Sequence, residues 1–171
     1  SAMLACSAQK MRQAKDVGER IVDLVKEKKT FKSYVNKESI ENGIKDVSAT
    51  GGSTNAVLHI MALAKALDVE MNLHDFDVCQ SSVPVVTKLK PSSQYNLSDY
   101  YSAGGVRKVL EIIRQHIDDT RPLVMGGTVR DSLDGFFAEN SEVIRLPDSK
   151  FYENGCFSIL YGNLAPNGAV V

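Results

Sequence analysis

The chain has 171 residues, which is enough for one domain or for one domain and part of another. Its 20 basic and 21 acidic residues are interspersed and leave a net charge of −1. This balance argues against nucleic acid or an anionic membrane as a partner, because both favour a basic face. No apolar run approaches the roughly 20 residues of a membrane-spanning helix. The three cysteines are widely spaced, which predicts reduced thiols and a cytoplasmic location.

Helical patterns dominate the first part of the chain. Residues 8–28 carry apolar residues at spacings of three and four, which predicts an amphipathic helix. Asn36 and Asn72 each predict the cap of a short helix. Residues 53–67 are apolar almost all round, so we expect a helix buried on most sides at the centre of the core. His59 on this helix is then expected to be a hydrogen-bonded core residue and not a ligand.

Strand patterns become frequent in the later part of the chain. Short strands are predicted at 84–89, 122–125, 143–144, 157–161 and 169–171. A Gly-Gly turn precedes a predicted helix at 106–117. Thr128, with Asp131 three residues later, resembles a capping box for a helix at 129–136. Helices dominate up to residue 136 and strands dominate after 140, which predicts a domain boundary between 137 and 141.

The segment GGSTN is the feature with the clearest functional implication. Gly51 and Gly52 free the backbone immediately before three small polar residues, Ser53, Thr54 and Asn55. Their N–H groups and hydroxyls could bind an anion at the start of the helix. Alternatively, the two glycines make a tight turn, Ser53 or Thr54 caps the helix, and nothing binds there. The pattern leaves both interpretations open.

The same segment resembles a known family. GGSTNAVLH, at residues 51–59, is similar to a signature of the dihydroxy-acid and sugar-acid dehydratases, which are iron–sulfur hydro-lyases. Three further matches follow in the order found in the family. They are Pro91-Ser92 within KPSSQY, the turn Ala103-Gly104-Gly105, and LYGNLAPNGAVV at residues 160–171. The resemblance extends from about Lys10 to the last residue.

The resemblance implies a dehydration reaction and the positions of its catalytic and metal-binding residues relative to this segment. The family removes water from a 2,3-dihydroxy acid to form a 2-keto acid, with an iron–sulfur cluster and Mg²⁺ in the complete, homo-oligomeric enzyme. In this family the cluster cysteines and the Mg²⁺-binding Asp and modified Lys lie upstream of the matched segment, whereas the catalytic serine and another metal-binding acid come from the C-terminal domain. We therefore assign no catalytic or metal-binding residue here and expect no cofactor on this segment. Residues 51–55 are expected to support the substrate pocket.

These observations predict an α/β fold in an internal segment of a longer enzyme. Residues 1–3 are expected to be an expression scar, and 4–138 the later, helix-rich part of an N-terminal α/β domain. Residues 139–171 are expected to be the first strands of a truncated C-terminal β-barrel domain. The segment alone is then expected to be inactive.

Three functional alternatives remain open at this stage. The motifs favour the dihydroxy-acid dehydratase of branched-chain amino-acid biosynthesis. Departures from the family pattern at 99–102 and 154–157 leave an aldonate or phosphogluconate substrate open. A non-catalytic α/β binding or assembly domain is the alternative from another class.

Overall fold

The structure is a computed structural model that describes residues 2–171, and it is built mainly from helices. The α-helices in that range are α1 (Ala8–Lys26), α2 (Lys37–Ala49), α3 (Asn55–Ala66), α4 (Leu73–Gln80), α5 (Leu97–Ser102), α6 (Gly105–Ile112) and α7 (Val129–Leu133). Single 3₁₀ turns lie at Phe31–Ser33, Arg114–His116 and Pro147–Ser149. Two antiparallel strands, β1 (Ile159–Gly162) and β2 (Ala165–Val170), form a hairpin. The α/β prediction is confirmed as a helix-rich fold with a two-stranded sheet, whereas the barrel domain remains a prediction.

The helix starts predicted from local sequence are confirmed. The Oδ1 atom of Asn36 accepts a hydrogen bond from the backbone N–H of Ser39 at 3.0 Å, and Asn72 caps α4 in the same way. Thr128 and Asp131 form the predicted reciprocal box at the start of α7. A cap depends on residues within one turn of one another, so the sequence pattern is sufficient to predict it.

Several predicted strands are not regular strands in the structure. The strands at 84–89, 122–125 and 143–144 are reduced to isolated bridges. Val85 does pair with Tyr152, and its N–H donates to the Tyr152 carbonyl at 3.0 Å. The next N–H, of Val86, donates to the carbonyl of Ala49 at the end of α2. The segment is extended and buried, but a helix end takes the place of a second strand beside it.

The apolar stripe of α1 is largely exposed. The helix was predicted at 8–28 and is confirmed with nearly the same bounds. Leu24 alone among its residues is buried. Five other apolar residues of the helix are more than half exposed, namely Met11, Val17, Ile21, Val22 and Val25.

The prediction that the helix at 53–67 forms the centre of the core is wrong. In α3 only Val57 and Ala64 are buried, whereas Leu58 is 66% exposed. His59 is also exposed, so it is not the core residue that the apolar surroundings predicted. An apolar sequence favours burial, but burial requires a neighbouring element on each side, and several faces of α3 have none among the described residues.

The core instead consists of two clusters. The first lies between α2, α4 and β1 and includes Ile44 and Phe76, with Phe157 packed edge-on to Phe76 at a ring-centroid distance of 6.4 Å. The second includes Val86 and Ile144. Ile144 follows the predicted domain boundary and Val86 precedes it, so residues on both sides share one cluster. Within residues 2–171, no helix has the length and apolarity required to cross a bilayer.

Candidate functional site

The glycine turn, residues 51–52, connects α2 to α3. The N–H of Gly51 donates to the Ser48 carbonyl at 3.2 Å, and the N–H of Gly52 donates to the Val47 carbonyl at 2.9 Å. Gly51 has a φ of +63°, in the left-handed region that ends many helices. A Cβ atom on Gly52 would lie 2.6 Å from Val47 Cγ1. Each glycine is therefore required by the local geometry.

The glycine turn packs closely against the extended segment that follows α4. A Cβ atom on Gly51 would lie 3.2 Å from the carbonyl oxygen of Thr87. Val85, Val86 and Thr87 are all essentially inaccessible to solvent. This close approach fixes the turn between two open spaces.

Those spaces are two cavities that share the glycine turn as a wall. The α5 cavity has a volume of about 810 Å³, and its lining includes Asp46, Gly51, Gly52, Lys90, Asn96 and Tyr100. The Cys156 cavity has a volume of about 590 Å³, and its lining includes Gly51, Gly52, Lys88, Tyr152, Cys156 and Phe157. Both volumes are in the range of small-molecule sites.

The three polar residues after the glycines have a different environment. Ser53, Thr54 and Asn55 are exposed and line neither cavity. The Ser53 hydroxyl accepts a hydrogen bond from the Asn55 N–H at 3.3 Å, while the Thr54 side chain makes no capping bond. The structure thus brings Gly51 and Gly52 to the cavities. A role of the other three in anion or substrate binding remains a prediction.

Asp46 and Tyr100 are polar residues in the α5 cavity that the sequence analysis did not select. The Oδ1 atom of Asp46 and the hydroxyl of Tyr100 are excluded from solvent and have no hydrogen-bond partner among the described residues. Burial raises the pKa of Asp46 from 3.8 to about 6. Burial and the nearby Asp46 carboxylate raise the pKa of Tyr100. An acid in the last turn of a helix, where the dipole disfavours negative charge, was the available sequence signal.

The Cys156 cavity is bounded by a thiol that is bonded to the glycine turn. Cys156 Sγ contacts the carbonyls of Val47 and Gly52 at 3.7 and 3.8 Å, as a thiol donor does. Burial raises the pKa of the Cys156 thiol to about 11, so it is protonated at neutral pH. The next residue, Phe157, is held by the buried side chain of Gln80. This side chain donates a hydrogen bond to the Phe157 carbonyl and accepts one from the Phe157 N–H.

The basic group of the Cys156 cavity is already engaged. Lys88 Nζ lies 4.3 Å from the Tyr152 ring centroid and donates to the Tyr152 hydroxyl at 2.9 Å. It also lies over the Phe151 ring at 5.1 Å, and Arg145 stacks on the same ring at 4.0 Å. These cation–π contacts stabilise the segment that closes the cavity and leave the lysine less available to an anion.

The residues present do not fit an iron–sulfur cluster or a Mg²⁺ site. Cys79 is buried in the first core cluster, where burial raises its pKa to about 11, and the Cys156 thiol is bonded to two carbonyls. Cluster ligands must be thiolates, and these two positions favour the neutral thiol. No group of three His, Cys, Asp or Glu side chains within residues 2–171 is placed to hold a metal ion.

Comparison with known proteins gives a consistent result over the whole chain. Residues 1–132 match the family model of the dihydroxy-acid/6-phosphogluconate dehydratase N-terminal region. The chain is 38% identical over all its residues to 31% of the dihydroxy-acid dehydratase of Methanoregula boonei. The dihydroxy-acid dehydratase of Geotalea daltonii is 39% identical to this chain, in an alignment that covers 98% of the chain and 30% of the relative. The enzyme of the same name from Nitrosomonas eutropha is 35% identical, and the alignment covers 99% of the chain and 31% of the relative.

The match includes the glycine turn and every residue that lines the α5 cavity, since all of them precede residue 132. The chain spans just under a third of the length of these curated relatives. The resemblance seen in the short motifs therefore extends to the sequence as a whole, and the chain belongs to the dihydroxy-acid/6-phosphogluconate dehydratase family.

Proposed function

We propose that this chain is part of a hydro-lyase that converts 2,3-dihydroxy acids to 2-keto acids, as in branched-chain amino-acid biosynthesis. One observation carries the proposal. The glycine turn, which lies within the part of the chain that matches the family model, is a wall of two cavities of small-molecule size. Identities of 35–39% with relatives named dihydroxy-acid dehydratase support the substrate class.

The reaction defines what such a site must provide. A base removes the proton from C2, the hydroxyl on C3 leaves as water, and the resulting enol becomes the keto acid. The residues described here do not fit the family's metal groups, so we assign no step to such a group on this chain. Our proposal gives the chain the task of shaping the pocket, with the reacting groups on other parts of a homo-oligomeric enzyme.

The proposed domain division accompanies this function. Residues 4–138 would belong to the N-terminal α/β domain and 139–171 to the beginning of a β domain. The hairpin of β1 and β2 supports the second assignment, because a two-stranded sheet is marginally stable unless other elements pack on it.

A chimaera tests the proposed function. The corresponding third of the Methanoregula boonei enzyme is replaced by this chain, and the product is assayed anaerobically after iron–sulfide reconstitution. We expect formation of 2-keto acid from 2,3-dihydroxyisovalerate, with the unmodified enzyme as the positive control. We also expect no product from the 171-residue chain alone. A folded chimaera without activity would contradict the proposal.

The same assay separates the alternatives. Turnover of gluconate or 6-phosphogluconate in preference to 2,3-dihydroxyisovalerate would favour a sugar-acid dehydratase, which the departures at 99–102 and 154–157 left open. No turnover of any of these acids by a chimaera with native-like circular dichroism would favour a non-catalytic binding or assembly domain.

A further inference from the structure

The α5 cavity contains an acid that the fold leaves without a partner. The Oδ1 atom of Asp46 is excluded from solvent and receives no hydrogen bond from the described residues, and burial raises the pKa of this carboxyl group. Tyr100, which is 4% exposed, also has an unpartnered hydroxyl. Buried polar groups are nearly always hydrogen-bonded, so an unpaired acid and phenol in one cavity wall indicate a missing partner.

Two other polar groups of this cavity are hydrogen-bond donors, in contrast to the acceptor Asp46. Lys90 is exposed and forms no ion pair within residues 2–171. Asn96 uses its Oδ1 to accept from the Ser98 N–H at 2.8 Å, which leaves its NH₂ group as a donor. These two groups suit a carboxylate, whereas Asp46 suits a hydrogen-bond donor.

The remaining lining determines the rest of the ligand. Leu89, Leu97 and Val106 contribute apolar side chains to the same cavity. A ligand that matches all three features has a carboxylate, a hydroxyl group and a small aliphatic end. An ammonium in place of the hydroxyl would also meet Asp46, but burying that charge costs more than burying a hydroxyl.

We infer that the α5 cavity is a binding site for a small aliphatic hydroxy acid, in which Asp46 accepts from a ligand hydroxyl and Lys90 binds the carboxylate. The assignment rests on the proposed function for the choice of a 2,3-dihydroxy acid as ligand. Asp46 then recognises the hydroxyl group of the ligand through this hydrogen bond. Lys90 and the NH₂ group of Asn96 orient the molecule from its other end.

Calorimetric titration of the 171-residue chain tests the inference. The probes are 2,3-dihydroxyisovalerate, isovalerate, which lacks the hydroxyls, and valine, which has an ammonium. We expect the dihydroxy acid to bind at least about tenfold more tightly than isovalerate, since one charge-assisted hydrogen bond is worth about that factor. Asp46→Asn and Lys90→Gln should each weaken binding of the dihydroxy acid about tenfold or more. Lys15→Gln, on the exposed side of α1, should leave binding unchanged.

Other outcomes overturn the inference. If isovalerate binds as tightly as 2,3-dihydroxyisovalerate, the site does not recognise a hydroxyl group. If valine binds more tightly than 2,3-dihydroxyisovalerate, the site recognises an ammonium group instead. Unchanged affinity of the Asp46→Asn variant would remove Asp46 from the site. An NMR titration of the unmodified chain provides a measurement independent of variant folding. Amide shifts on addition of the dihydroxy acid should concentrate at Thr50, Asn96 and Ser98, and shifts elsewhere would contradict the site.

The two proposals fail separately. An active chimaera combined with a 171-residue chain that does not bind 2,3-dihydroxyisovalerate would refute the α5 site and leave the dehydratase function. Binding by the chain combined with an inactive, folded chimaera would refute the dehydratase function and leave a hydroxy-acid site.

Discussion

Gly52 lies against Val47 across the end of α2, where its N–H donates to the Val47 carbonyl at 2.9 Å and no space is left for a side chain. A Cβ atom there would be 2.6 Å from Val47 Cγ1 and 3.0 Å from the Val47 carbonyl oxygen. The glycine turn is therefore a packing requirement of the helix end as well as a wall of two cavities.

Gly52→Ala should destabilise the protein. Relief of the contact with Val47 requires a shift of the helix end, so we expect a loss of about 2 kcal/mol in the free energy of unfolding, measured by urea denaturation. Gly43→Ala in the interior of α2 is the matched control, because a Cβ there has no neighbour within 4 Å. The control should gain about 0.5–1 kcal/mol from helix propensity. Equal stability of the two variants would contradict the packing argument.

Replacing Asp46 by Asn should alter how stability depends on pH. The pKa of Asp46 is raised from 3.8 to about 6 in the folded protein, so the folded state holds this proton more tightly than the unfolded state. Burial of Asp46 therefore does not lower the free energy of unfolding below about pH 4. The loss of stability grows as the pH rises to about 6 and is constant at higher pH. We expect the stability of Asp46→Asn relative to the native protein to rise by about 2 kcal/mol between pH 4 and pH 8.

Urea denaturation of both proteins at each pH measures this difference, in which the contributions of all other acids cancel. Asp16→Asn on the exposed face of α1 is the control. A flat difference for Asp46→Asn across this pH range would show that Asp46 is not desolvated.

Gln80→Met should destabilise the connection between α4 and β1. Gln80 Nε2 donates to the Phe157 carbonyl at 2.5 Å and its Oε1 accepts from the Phe157 N–H at 3.3 Å. Methionine fills a similar volume but leaves both buried backbone groups unpaired, so we expect a loss of about 3 kcal/mol on chemical denaturation. Gln13→Met on the exposed face of α1 should change stability by less than about 0.5 kcal/mol. A comparable effect of the two substitutions would show that the Gln80 bonds contribute little.

The three thiols should differ in their reactivity toward Ellman's reagent. Cys6 is exposed, whereas Cys79 is buried and the Cys156 thiol is held by two carbonyls. Burial raises the pKa of both Cys79 and Cys156 to about 11, and the thiolate is the reactive form. At pH 7.5 we expect one thiol to react rapidly in the native protein and all three in guanidinium chloride. Rapid reaction that survives Cys6→Ser would contradict the described environment of the other two.

The features that were predictable from sequence are those that depend on near neighbours along the chain. Asn36, Asn72 and Thr128 cap their helices as expected because each bond closes within three residues. The glycine turn was also recognisable, since its residue types and order match the family. The contact of the glycine turn with Thr87 was not predictable, because a local sequence pattern does not indicate which distant segment packs against the turn.

The features that sequence analysis missed depend on distant packing. Leu58 and His59 lie on an apolar helix but are exposed, because the number of elements around a helix is a property of the whole fold. Asp46 and Tyr100 share a cavity wall only because α2 and α5 are placed beside each other. The position of Asp46 in the last turn of α2 was a local signal, but it did not show that the Oδ1 atom of Asp46 or the hydroxyl of Tyr100 would be buried without a partner.

The sequence by itself determined the family, the positions of the helix starts and the site of the glycine turn, because short-range hydrogen bonds and backbone freedom depend on residue type and order. The tertiary structure alone decided which apolar faces are covered, that two cavities flank the glycine turn, and that Asp46 meets one of them. Burial, desolvation and cavity shape arise from contacts between segments far apart in the chain, and those contacts depend on the sum of many weak packing interactions.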